Sequence, residues 1–208
     1  MNSTINLPGV PENEAGKALD IECIVKEDLF QEAMNTFDIA RSRLLHPSLW
    51  QQLAGTGTAS FSVSSANSDK IEPQVHANDF LRIDIPGPGP VAGEGFDWVK
   101  VEEIQENRLP DADASFVMRL RACANPHHPG EGTAHFFTEE ATSTFILKRN
   151  GDTVTLSYHG RNEKPNTSNV NTMDKIRNAL VGGSAIAGLS EIQWKALLQG
   201  ILKRDKET

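Results

Sequence analysis

Between residues 58 and 159 the apolar residues recur at every second position, and no amphipathic helix interrupts them. That stretch constrains the fold more than any other part of the chain. Thr58–Ser64 and Phe80–Ile85 alternate, with Leu81, Ile83 and Ile85 on one face. Trp98–Ile104 resumes the pattern. Ala114–Cys123 puts Phe116, Met118, Leu120 and Ala122 on one side and Val117, Arg119 and Arg121 on the other. Thr142–Leu147 and Thr153–His159 flank Asn150-Gly151, a pair that supplies the two positive φ values of a type I′ hairpin turn. A two-residue loop there sets Arg149 opposite Asp152, Leu147 opposite Val154, Phe145 opposite Leu156 and Ser143 opposite Tyr158. His159 then lies near Thr142, three residues from Glu139. Consecutive strands without a helix between them pair antiparallel. The expectation is an α+β fold: an antiparallel β-meander of about six strands, as a curved sheet or a partly closed barrel, flanked by N-terminal and C-terminal helices.

The flanks carry the helical period. Ile21–Val25 is a strand or the entry to a helix. Asp28 with Gln31 three residues on has the spacing of a capping box. Leu29, Phe30, Ala33, Met34, Phe37, Ala40 and Leu44 form one stripe, which His46-Pro47 ends. A short second helix, Ser48–Leu53, closes at Gly55. After the polar stretch Arg161–Asn171, Thr172 caps a helix over Met173–Val181 that stops at Gly182-Gly183. Ser190 and Gln193 open a last helix whose stripe is Trp194, Leu197, Leu198, Ile201 and Leu202. The organisation expected is a flexible lead-in over 1–20 and one domain over 21–208. Within it, helices fill 28–54, the β-rich core 57–160 and the C-terminal helices 172–204. This helix–helix–meander–helix order resembles START-type ligand-binding folds, with two short C-terminal helices where that fold has one long one.

Composition narrows the function classes. The 208 residues carry a formal charge of -8, and the densest basic stretches are no more than pairs such as Lys148–Arg149. Phosphate backbones need cations clustered on one face, so nucleic acid is not expected as a partner. An anionic membrane surface is disfavoured for the same reason. No apolar run approaches the ~18–20 residues that span a bilayer. Residues 1–20 lack the basic start and apolar stretch of a secretory signal, so a cytoplasmic protein is expected. Cys23 and Cys123 stand apart and form no CxxC pair, which fits a reducing compartment.

Two constellations carry candidate chemistry. Tyr158-His159-Gly160-Arg161-Asn162-Glu163 gathers an imidazole, a guanidinium, an amide and a carboxylate at a strand end, where a rigid scaffold commonly presents site residues. The other is histidine-rich: His127, His128 and His135, with Glu131, Glu139 and Glu140 nearby. The three histidines are the candidates for a metal, although no HExxH or HxH spacing is present. The hairpin register brings His135, Glu139 and His159 toward one end of the sheet. The candidate binding residues are therefore His135, Glu139, Tyr158, His159, Arg161, Asn162 and Glu163. There is no GxSxG elbow, and the Pro86–Gly95 loop lacks both phosphate-binding glycine patterns. No catalytic residue and no cofactor are expected. The function expected is a non-catalytic binding or interaction protein whose partner is a small molecule or another protein. The alternative is a small-ligand cavity protein or metal-dependent enzyme built on His135, Glu139, His159 and Arg161.

Overall fold

A computed structural model describes residues 7–55, 58–64, 74–85, 89–108, 113–167 and 191–204. Seven strands form one antiparallel sheet: β1 (Lys17–Lys26), β2 (Ser60–Ser64), β3 (Phe80–Asp84), β4 (Asp97–Arg108), β5 (Ala114–Ala122), β6 (Thr142–Asn150) and β7 (Thr153–Glu163). Their order is β1-β7-β6-β5-β4-β3-β2, with every pairing antiparallel. The fold class is α+β, as expected. Six strands are those read from the period of two, and the seventh is the stretch around Ile21–Val25. Among the described residues β1 and β2 remain edges, so the sheet is curved and not a closed barrel.

Among the described residues three α-helices pack on the inner face: α1 (Phe30–Leu44), α2 (Trp50–Ala54) and α3 (Glu191–Leu202). Of the stripe expected on α1, Ala33, Phe37, Ala40 and Leu44 are buried at 1% exposure or less, whereas Leu29 and Phe30 at its start are exposed. Asp28, however, does not cap it. The N-cap is Leu29, without a side-chain bond, and Gln31 instead reaches Asn35 one turn on. The buried Glu27 holds this end, accepting a hydrogen bond from Thr36 Oγ1 at 2.6 Å and pairing with Arg204 beyond α3. The helix expected over Met173–Val181 and the Ser190 capping box lie outside the described residues.

The core is aromatic. Trp50 packs on Phe61 and Phe145 with ring centroids 5.0 and 5.2 Å apart, and Trp194 stacks on Tyr158 at 4.1 Å. Each such pair adds about 0.5–1.5 kcal/mol beyond the area it buries. Trp50 also donates its indole N–H to Arg43 O, so its one polar atom is satisfied.

The hairpin register differs from the expected one by two residues. Asn150 pairs with Thr153, so Gly151 and Asp152 form the turn, and Phe145 faces Tyr158 while Thr144 faces His159. Only Gly151 of the two has a positive φ, +60°. That is the pattern of a type II′ turn, not the I′ turn expected from Asn-Gly. Because side chains alternate with a period of two, this shift preserves both faces.

Before β1, the chain lies over the outer face of the sheet. Arg119 donates to Gly9 O at 2.9 Å, and Gly9 sits against Val117. Asn162 accepts from the amides of Glu14 and Ala15 through Oδ1, and donates its own amide to Asn13 Oδ1 and its Nδ2 to Glu12 O. Strand β1 starts at Lys17, inside the stretch assigned to the lead-in.

Candidate functional site

The end of β7 carries most of the candidate residues, and one backbone feature divides them. Asn162 adopts φ +56°, a left-handed conformation that Asn tolerates better than most residues. The register with β1 shifts at the same place, from Leu19 opposite Gly160 to Lys17 opposite Glu163. The bulge reverses the alternation. Tyr158 and Glu163 therefore share the inner face, while His159 and Arg161 point outward.

On the inner face, Gly160 is the floor of the arrangement. A Cβ built there would fall 2.2 Å from Glu163 Oε1 and 3.4 Å from Tyr158 Cε1. The carboxylate thus lies directly over a residue with no side chain, beside the phenol ring. Tyr158 OH and Ser143 Oγ are 3.0 Å apart, and Ser143 is the register partner of Gly160. Burial raises the pKa of Glu163, against the pull of Lys17 and Arg161. Burial likewise pushes the Tyr158 phenol up, with the Glu163 charge adding to it. Two hydroxyls and one carboxylate lie here beside the rings of Tyr158, Trp194 and Phe145, which are buried and packed on one another.

On the outer face, His159 Nδ1 lies 2.6 Å from Asp20 Oδ1 and His159 Nε2 lies 2.9 Å from Ser157 Oγ. Arg161 donates to the same Asp20 oxygen at 2.7 Å and to Gly160 O. Burial pushes the Asp20 pKa up, but the hydrogen bonds from His159 and Arg161 outweigh it and bring the net value below the ordinary range.

The expected convergence of His135, Glu139 and His159 does not occur. The two-residue shift in register moves His159 from Thr142 to Thr144, where Asp20 and Ser157 take both ring nitrogens. His135 Nδ1 accepts the Phe137 amide at 2.9 Å, and burial lowers its pKa. Glu139 is exposed, and its backbone oxygen accepts from Arg121. His127 packs edge-on against Trp98, and His128 faces Glu94 at 3.4 Å. No group of three or more His, Cys, Asp or Glu among the described residues could hold a metal, so the metal candidates His127, His128 and His135 do not assemble. The residues that sequence reasoning missed are Ser143, Ser157 and Asp20. Each enters through pairing register, which no local pattern announced.

No family model matches the chain, and no curated protein matches it. Among solved structures, Ara h 8.0201 aligns over 89% of this chain and 99% of its own, at 8% identity and TM-score 0.38. Protein Ms6760 from Mycobacterium smegmatis aligns over 88% and 87%, at 10% identity and TM-score 0.35. A protein from Arthrobacter aurescens aligns over 88% and 86%, at 13% identity and TM-score 0.33.

Proposed function

We propose that this protein binds a small, largely apolar molecule on the inner face of its sheet, at the Ser143–Tyr158–Glu163 end. One observation carries the proposal: the Asn162 bulge turns the Glu163 carboxylate onto an apolar face, over Gly160, where no described side chain hydrogen-bonds it. A few convergent polar groups in apolar surroundings are one mark of a small-molecule site. A carboxylate whose pKa burial has raised is a marker of such sites. The expected ligand has an apolar body that meets the rim of the stacked Tyr158–Trp194 pair, and one donor for Glu163. No helix among the described residues is long and apolar enough to cross a membrane. Cys23 and Cys123 are both free thiols, which suits a cytoplasmic setting.

Titration with N-phenyl-1-naphthylamine, an apolar probe with one N–H, tests this. Binding at one site should quench tryptophan emission, and Trp194→Phe should remove most of that quenching. Glu163→Ala should weaken binding roughly tenfold, the scale of one hydrogen bond to a charged acceptor. Absence of binding, or quenching unaffected by Trp194→Phe, refutes the assignment.

A further inference from the structure

The outer face holds a cluster that ligand binding on the inner face does not use. Asp20, His159, Thr144 and Arg119 form one cross-strand row, and Glu22, Ser157, Ile146 and Val117 form the next. Within these rows Asp20, His159 and Ser157 make a continuous chain of hydrogen bonds, at 2.6 and 2.9 Å. The ionised carboxylate fixes one proton of that chain. An ionised carboxylate can only accept, so Nδ1 of His159 carries the ring proton. With Nε2 unprotonated, the Ser157 hydroxyl can turn from Ile146 O, 3.5 Å away, and donate to the ring nitrogen at 2.9 Å. The environment holds Asp20 in its ionised form, since Arg161 bonds the same oxygen. His159 and Ser157 are buried while the Asp20 carboxylate is open to solvent, so a reagent approaches the hydroxyl from the Asp20 side of this face.

A second observation lies beside it. Thr144, the register partner of His159, and Thr142, the partner of Arg161, are buried on the same face. The hydroxyl oxygen of each has no hydrogen-bond partner among the described residues. Unsatisfied buried hydroxyls are costly, and they are kept where they have something to meet. Strand β7 is central, so its amides pair along the ladders on both sides. Thr144, one cross-strand row from Ser157, is the nearer of the two hydroxyls to charge developing there.

We propose that Ser157 is a nucleophilic serine, with His159 as its general base and Asp20 as a positioning residue, and that it accepts acyl or phosphonyl groups from small activated esters. The Ser157 Oγ attacks the carbonyl carbon as its proton passes to His159 Nε2. The bond to the leaving alkoxide breaks, and the alkoxide departs with that proton, leaving an acyl-serine. Water then attacks the acyl carbon with His159 again taking the proton, which releases the acid and restores the hydroxyl. Nucleophile and base lie two residues apart on one strand, with the carboxylate on its neighbour. A motif search for a nucleophile elbow passes over such an arrangement.

The test is intact-mass spectrometry of the full chain after incubation with an alkyl fluorophosphonate, followed by peptide mapping. In that reaction a P–O bond forms at Ser157, the P–F bond breaks, and the proton leaves through His159 with fluoride. One adduct is expected, mapping to Ser157 and absent in Ser157→Ala. His159→Gln should slow labelling by about 100-fold or more, the usual contribution of a general base. Asp20→Asn should lower the maximal labelling rate while leaving the half-saturating probe concentration unchanged, which a general loosening of the fold would not do. No adduct on the wild-type protein overturns the proposal, as does an adduct elsewhere or an undiminished rate in a folded His159→Gln variant.

Discussion

Replacing Gly160 by alanine tests the geometry of the inner site with one methyl group. Its backbone φ is not positive, so alanine fits the strand conformation. Where the backbone allows it, Gly→Ala stabilises by about 0.4–1 kcal/mol, because the unfolded chain has fewer conformations to lose. Against that, the new Cβ falls 2.2 Å from Glu163 Oε1, and ordinary contact begins near 3.4 Å, so the carboxylate must retreat by 3.4 − 2.2 = 1.2 Å. Forcing a side chain off its preferred rotamer costs about 0.5–1.5 kcal/mol. The two terms nearly cancel, and Gly160→Ala alone should change stability by less than about 1 kcal/mol. In a Glu163→Ala background the obstacle is gone, and the same substitution should stabilise by the full ~0.4–1 kcal/mol. The 3.4 Å contact with Tyr158 is common to both backgrounds and drops out of the difference. Urea denaturation of the four proteins at neutral pH measures the coupling, expected at about 0.5–1.5 kcal/mol. Equal effects of Gly160→Ala in both backgrounds would mean that the carboxylate does not sit over Gly160, and the proposed site would lose its polar anchor.

Glu163→Gln should also change the pH dependence of stability. The folded-state pKa is raised by burial above the ordinary value near 4.5, so the folded protein binds the proton more tightly than the unfolded chain. Stability from this group is present below 4.5 and is lost as pH rises through the raised folded value. The variant should match wild type in acid and exceed it at neutral pH; thermal melts across that range check the sign. Gly151→Ala forces a side chain into φ +60° at the hairpin turn and should cost about 1–2 kcal/mol. For a chain of this size that is a fall in Tm of roughly 2–8 °C, measurable by calorimetry. Trp50→Ala removes a fully buried indole together with its hydrogen bond to Arg43 and should cost at least about 3–5 kcal/mol, seen as a lower urea midpoint.

The strands and the α1 stripe were legible because burial repeats with the period of the element, and burial is what the apolar pattern records. The turn was legible only to within two residues. Asn-Gly and Gly-Asp both place glycine where a hairpin needs it, and pairing with β5 and β1 decides between them. The α1 cap failed although Asp28 and Gln31 have the right spacing: the helix starts one residue later, at the N-cap Leu29, and Gln31 bonds Asn35 instead. At the site, Tyr158 and Glu163 were recognised as neighbours of His159 and Arg161, yet they face the other way. The cause is the left-handed backbone at Asn162, which carries no signal beyond the identity of that residue. Asp20, Ser143 and Ser157 were invisible for a related reason: each matters through the residue opposite it, and opposition is a property of the assembled sheet.

The place of β1 beside β7 has a consequence for how the protein is made. Cys23 pairs with Leu156, a separation of 156 − 23 = 133 residues, while every other pairing joins strands adjacent in sequence. A ribosome adding about 5–20 residues per second needs roughly 7–27 s to cover that interval. Throughout it the first strand exists with no partner, its apolar positions Ile21, Cys23 and Val25 unclaimed. The charges interleaved with them, Asp20, Glu22 and Lys26, then act as gatekeepers: they keep a nascent segment from adding to a neighbouring chain until β7 emerges and the sheet can close its long-range seam.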